Sequence, residues 1–198
     1  MFIKNRYIFQ GGKVNLIMSE LKIENIVFSA NLAEKIDIQY VSKQFVNSKY
    51  NIDEFSGLIL DFNNPNCAVF LFPNGKITCT GIKNFDDVEI IINRIISDIE
   101  GCKITIFDDI NIEIVNIIAS SRFANNFNLG YIKDQIIFEN IVDNSNDFPG
   151  LIYNILDLEI TVIIFKSGKI IFIGGKELED IKKVLRMLKE NLVNIGVL

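Results

Sequence analysis

Apolar residues along this chain follow two spacings in turn, and the sequence of spacings occurs twice. Val88, Ile91, Ile92, Ile95, Ile96 and Ile99 recur every three or four residues and predict an amphipathic helix that begins near Asn84. Asn84 is a favourable N-cap, and Asp86 and Asp87 fall in the first turn, where the helix dipole favours negative charge. Ile181, Val184, Leu185, Leu188 and Leu192 form an equivalent stripe in a second long helix from about Glu177. Ile38, Val41 and Phe45 predict a shorter helix over 36–46. Period-two or continuous apolar runs predict strands at 23–27, 58–62, 68–72 and 76–80, with Asn63-Asn64-Pro65 and Pro73-Asn74-Gly75 as turns.

Particular residues recur along with the elements. Leu21-Lys-Ile-Glu-Asn-Ile-Val reads against Ile112-Glu-Ile-Val-Asn-Ile-Ile, which sets Asn25 against Asn116. Phe55-Ser-Gly-Leu-Ile-Leu matches Phe148-Pro-Gly-Leu-Ile-Tyr, and Phe72-Pro-Asn-Gly-Lys-Ile matches Phe165-Lys-Ser-Gly-Lys-Ile. Thr80-Gly-Ile-Lys83 matches Ile173-Gly-Gly-Lys176. The offset is 91 residues at the first motif and 93 at the other three, so a two-residue insertion separates them. Four matches in order identify a duplicated unit. It divides the chain into an arm at 1–20, a first repeat at 21–107 and a second at 108–198.

A helix with one wide apolar stripe is suited to lie on a sheet, and antiparallel strands covered on one face leave the other bare. Strand alternation places Val69, Leu71, Ile77 and Cys79 on one side, and Phe70, Phe72, Thr78 and Thr80 on the other. Ile163, Phe165, Ile171 and Ile173 take the latter place in the second unit. Both sides are thus largely apolar, and an apolar surface that helices do not cover is a binding surface. The fold class is α+β: two pseudo-symmetric repeats, one antiparallel sheet, helices on a single face.

Composition mostly excludes. With 49% hydrophobic residues in 198, the chain can bury one sizeable core or two small ones side by side. Charges interrupt every apolar stretch before it reaches membrane-spanning length. Cys67, Cys79 and Cys102 are odd in number and form no CxxC pair, so neither a disulfide framework nor a zinc site is indicated, and a cytoplasmic setting fits. No histidine is present, which removes the commonest general base and metal ligand. No carboxylate pair is marked by spacing, and no phosphate loop or nucleophile elbow occurs, so no catalytic residue is expected. A net charge of −5 argues against a nucleic-acid partner unless something other than phosphate pairing carries the binding. Residues 1–20 lack an h-region and cleavage site. They are either a flexible arm or upstream of a true start at Met18, because Gly11-Gly12-Lys13 is what a translated ribosome-binding sequence looks like.

Over residues 21–198 the sequence resembles the TATA-box-binding protein family in its archaeal form. The motifs that carry the resemblance are Ile23-Glu-Asn-Ile-Val27, Glu54-Phe-Ser-Gly-Leu58, Leu71-Phe-Pro-Asn-Gly-Lys76, Cys79-Thr-Gly-Ile-Lys83, Phe148-Pro-Gly-Leu-Ile-Tyr153 and Ile164-Phe-Lys-Ser-Gly-Lys169. The resemblance implies a curved saddle with helices on its convex face, gripping double-stranded A·T-rich DNA through the minor groove. It also implies that Phe55, Phe72, Phe148 and Phe165 pry base steps apart. The alternative is that these rings are ordinary core residues. Asn25 and Asn116 match the pair that meets the central base pairs, with Val27 and Ile118 beside them; an amide can donate to adenine N3 and thymine O2. Phe70, Thr78, Thr80, Ile163, Ile171 and Ile173 would complete the groove contact. Lys76, Lys83, Lys169 and Lys176 match backbone-contacting lysines, unless they are solvated loop residues. The resemblance further implies a transcription factor B homologue and RNA polymerase as partners, a nucleoid-associated place in the cytoplasm, and no metal, cofactor or small-molecule substrate.

Several positions depart from the family. Asp61 stands where a phosphate-facing arginine is usual, and Asn154 is its counterpart. Phe70 replaces a smaller aliphatic residue, Thr78 an aliphatic one, and Ile173 a threonine. Asp143-Asn-Ser-Asn-Asp147 keeps only part of the acidic stretch that contacts factor B, and the acidic C-terminal tail of many archaeal members is missing. The chain therefore reads as a divergent member. A second reading follows from that: a saddle with weak DNA binding that serves as a protein-interaction or regulatory module. Lys182, Lys183, Arg186 and Lys189 on the last helix are either its contact surface or a solvated face.

Overall fold

The computed structural model describes residues 21–45, 48–51, 53–123, 126–135 and 148–198, with the backbone at 141–142. The arm at 1–20 and the acidic stretch at 143–147 lie outside the described residues, as does Val46. The first repeat contains β1 (Lys22–Asn31), α1 (Ile38–Ser42), β2 (Ser48–Lys49), β3 (Leu58–Asn63), β4 (Asn66–Leu71), β5 (Lys76–Ile82) and α2 (Asp86–Gly101). The second contains β6 (Ile112–Arg122), α3 (Leu129–Gln135), β7 (Ile141–Val142), β8 (Gly150–Ile155), β9 (Ile160–Phe165), β10 (Lys169–Gly174) and α4 (Leu178–Asn194).

The ten strands among the described residues join one antiparallel sheet in the order β2-β3-β4-β5-β1-β6-β10-β9-β8-β7. That order is a palindrome about the β1–β6 junction. There Ile26 faces Ile117, flanked by Asn25 opposite Ile118 and Val27 opposite Asn116. Since Asn25 and Asn116 are equivalent positions, a pseudo-twofold axis passes through the Ile26–Ile117 pair.

One face of the sheet carries two cores. Under α2, Ile26, Phe28, Leu58, Leu60, Val69, Leu71, Ile77 and Cys79 are buried together with Val88, Ile91, Ile92, Ile95 and Ile99. Under α4, Ile117, Ala119, Val162, Ile164, Ile170 and Phe172 are buried with Ile181, Val184, Leu185, Leu188 and Leu192. Each fully buried aliphatic or aromatic side chain contributes about 1.5–3 kcal/mol. Ile23 and Ile114 pack against both cores, which ties the repeats together across the junction.

Element boundaries shift from the sequence expectation by one or two residues in β3, β4 and β5, and differ in three other places. β1 runs to Asn31, well past Val27, because β6 and β5 pair with it along its whole length. The first short helix is only five residues long: Asp37 accepts the Tyr40 N–H at 3.0 Å, and the chain then tightens as the Lys43 N–H bonds the Tyr40 carbonyl. Phe45 leaves the helix but still packs on the first core. Phe85 occupies the cap of α2, while the Asn84 side chain accepts the Asp86 N–H at 3.2 Å.

Candidate nucleic-acid interface

The face that the helices leave uncovered is continuous across both repeats. In the first, Ile59 opposes Phe70 and Asp61 opposes Ala68; Phe70 and Ala68 in turn oppose Thr78 and Thr80. The second repeats this pattern. Ile152 opposes Ile163 and Asn154 opposes Thr161, which in turn face Ile171 and Ile173. With Asn25, Val27, Asn116 and Ile118 at the centre, these side chains are half-buried, and none belongs to either core. Alternation and register together make the surface: each apolar residue here except Ile173, which is followed by Gly174, has a core neighbour on either side along its strand.

The four phenylalanines stand in two pairs at the ends of the outer strands: Phe55 and Phe148 just before β3 and β8, Phe72 just after β4, and Phe165 as the last residue of β9. The Phe55 and Phe72 rings lie 5.5 Å apart at 66°, and Phe70 meets Phe55 edge-on at 5.7 Å. The Phe148 and Phe165 rings are 6.1 Å apart at 51°. None of the four is buried, and Phe148 is 40% exposed. The glycine two residues after each leading phenylalanine gives the ring its place. A Cβ at Gly57 would lie 2.7 Å from the Phe55 ring, and one at Gly150 would lie 3.0 Å from the Phe148 ring.

At the junction the two asparagines are held differently. Asn25 Nδ2 donates to Thr80 Oγ1 at 3.0 Å, and its Oδ1 accepts the Gly81 N–H at 2.7 Å. Gly81 can aim that N–H because it adopts a φ of 102°, which glycine tolerates without strain. Ile173 stands where Thr80 does, and the Asn116 side chain has no hydrogen-bond partner among the described residues.

Lys76, Lys83, Lys169 and Lys176 are all exposed. Lys176 Nζ is 3.5 Å from Glu113 Oε1. On the other side of the axis, Ser120 donates to Glu24 Oε1 at 2.7 Å and Lys22 Nζ approaches Oε2 at 3.3 Å. The Ser120 hydrogen bond is the main cause that holds the Glu24 carboxyl below its ordinary value, with Lys22 and Lys83 adding to it. Asp61 is paired with Lys49 at 2.6 Å, and Asn154 Oδ1 accepts the Thr161 hydroxyl at 2.8 Å. The charge reversal at Asp61 is thus cancelled on its own face of the sheet.

Sequence reasoning missed Lys22, Glu24, Lys49, Glu113 and Ser120, because only the strand register brings them beside the expected residues. Ile59, Ala68, Ile152 and Thr161 were missed as well, although alternation within their strands would have found them. The described residues hold no cluster of three or more His, Cys, Asp or Glu side chains able to bind a metal ion, and no helix among them is long and apolar enough to cross a membrane.

Known proteins share both the sequence and the fold. The family described as transcription factor TFIID, or TATA-binding protein, matches residues 20–102 and 111–195. TATA-box-binding protein 2 of Methanosarcina mazei is 36% identical over 180 residues, covering 91% of this chain and 98% of that protein. The TATA-box-binding protein of Archaeoglobus fulgidus is 33% identical over 179 residues, covering 90% and 98%. The solved structure of the Methanococcus jannaschii protein superposes with a TM-score of 0.78 at 31% identity, covering 88% of this chain and 99% of its own, and fits a saddle of two repeats. A match that takes in both repeats, together with relatives above 30% identity across nine-tenths of the chain, establishes that this chain belongs to the TATA-binding protein family.

Proposed function

We propose that residues 21–198 bind A·T-rich, TATA-box-like promoter DNA through the minor groove, bend it, and present it to a transcription factor B homologue and RNA polymerase. The observation that carries the reading is the duplicated open face: apolar, uncovered by helices, and edged by two pairs of unburied phenylalanines. A flat apolar ring can replace lost base stacking without leaving a polar group unpaired, so Phe55, Phe72, Phe148 and Phe165 act as wedges. Asn25, Val27, Asn116 and Ile118 lie under the central base pairs. Phe70, Thr78, Thr80, Ile163, Ile171 and Ile173 line the halves, and Lys76, Lys83, Lys169 and Lys176 approach the phosphates. Binding that rests on apolar contact and deformation needs few phosphate pairs, which reconciles it with a net charge of −5.

Energy transfer between dyes at the two ends of a TATA duplex tests this. A shortened end-to-end distance at saturating protein is expected. An unchanged distance would defeat the bending reading, and if the factor B homologue still bound, the saddle would act as a protein-interaction module instead.

A further inference from the structure

We infer that the two halves of the open face read the minor groove differently: Asn25 rejects a guanine amino group, whereas Asn116, released by Ile173, accepts one. The inference rests on the minor-groove reading above and adds a polarity that the pseudo-symmetry would otherwise erase.

The difference follows from hydrogen bonding at the junction. The Gly81 N–H identifies the outer amide atom it meets as Oδ1, so the orientation of the Asn25 amide is fixed by its network. With Oδ1 engaged and one Nδ2 hydrogen given to Thr80, Asn25 has a single hydrogen left for the groove, and that is a donor. A·T and T·A pairs offer only acceptors there, whereas guanine adds the N2 amino donor. Donor then faces donor in a desolvated contact, and a wrong pair costs about tenfold in affinity or more.

Asn116 has no such tether. Its cross-strand partner is Val27, its neighbour along β6 on the same face is Ile118, and Ile173 presents no hydroxyl. The amide turns about its terminal torsion with no hydrogen bond to break, and it exposes either Nδ2 or Oδ1. Facing adenine or thymine it donates; facing guanine it accepts. A single G·C pair is therefore tolerated at one central position, and the protein orients itself so that Asn116 lies over it.

Duplexes with inosine or guanine opposite cytosine isolate the amino group, because the two pairs differ only there in the minor groove. The probe is a palindromic A·T-rich duplex with inosine or guanine at one or both central positions, titrated by fluorescence anisotropy. For the wild-type chain, guanine and inosine at one position should bind equally, and guanine at both should weaken binding about tenfold. Ile173→Thr, which restores the hydroxyl, should impose that penalty on a single guanine. Thr80→Val should leave the penalty for two in place, because the Gly81 N–H still holds Asn25 Oδ1. Equal single-guanine penalties in the wild type and Ile173→Thr would overturn the asymmetry while leaving the DNA reading intact. Failure of the wild type to bind the all-A·T duplex would overturn both.

Discussion

The Lys49 ammonium lies 2.6 Å from the Asp61 carboxylate on the open face of the first repeat. Both partners are largely exposed, so the contact is worth about 0–1 kcal/mol to the fold. Its importance is electrostatic: it removes from the proposed interface both an acidic side chain that would repel phosphate and a cation that would attract it. Asp61→Asn should leave urea unfolding within about 1 kcal/mol of wild type. It should also make the slope of log affinity against log salt more negative by about 0.9 as Lys49 is released. A slope that does not move would mean that Lys49 lies beyond reach of the duplex.

Lys176 is restrained in a similar way by Glu113, 3.5 Å away. Glu113→Gln should tighten binding to a TATA duplex at low salt, and the gain should disappear on adding Lys176→Gln. Titration of the single and double variants at two ionic strengths separates this from a general change in charge, which would survive the second substitution.

Removing the proposed wedges should spare the fold. Phe148 is 40% exposed and Phe165 only half-buried, whereas Phe172, on the opposite side of β10, is fully buried in the second core. Phe148→Ala with Phe165→Ala should abolish the energy-transfer change on the dye-labelled duplex while leaving the urea transition cooperative. Phe172→Ala should lower stability by about 3–5 kcal/mol. If the double variant unfolds as readily as Phe172→Ala, the two rings are core residues.

The Glu24 carboxyl titrates below its ordinary value of 4.5, chiefly because Ser120 donates to it. A depressed value in the fold adds stability that is present above the unfolded-state value and is lost as pH falls through the folded one. The stability difference between wild type and Glu24→Gln, measured by urea unfolding, should therefore be largest near neutrality and shrink as pH falls below the ordinary value of 4.5. A difference that stays constant throughout the acid range would show that the Ser120 bond does not depend on ionisation.

Much of this architecture was legible because it is periodic or duplicated. The stripes of α2 and α4, the two faces of β4 and β5, and the equivalence of Asn25 and Asn116 all follow from spacing, and the structure sets the asparagines two residues apart across one strand junction. What spacing could not supply was pairing between distant segments. Lys49 and Asp61 lie in β2 and β3, and Glu24 meets Ser120 only because β1 and β6 pair. The extent of β1 and the shortness of α1 were hidden for a similar reason. Partner strands extend the first, and a local i to i−3 bond ends the second, so neither is set by apolar period alone.

The β1–β6 junction also decides which molecule must yield on contact. The halves meet through a ladder that runs from Lys22 to Ala30 with two register shifts, and share Ile23 and Ile114 between their cores. In the proposed complex such a body would work as a die and not as a clamp: it has no jaws to close, and the duplex pressed against it would take up the distortion.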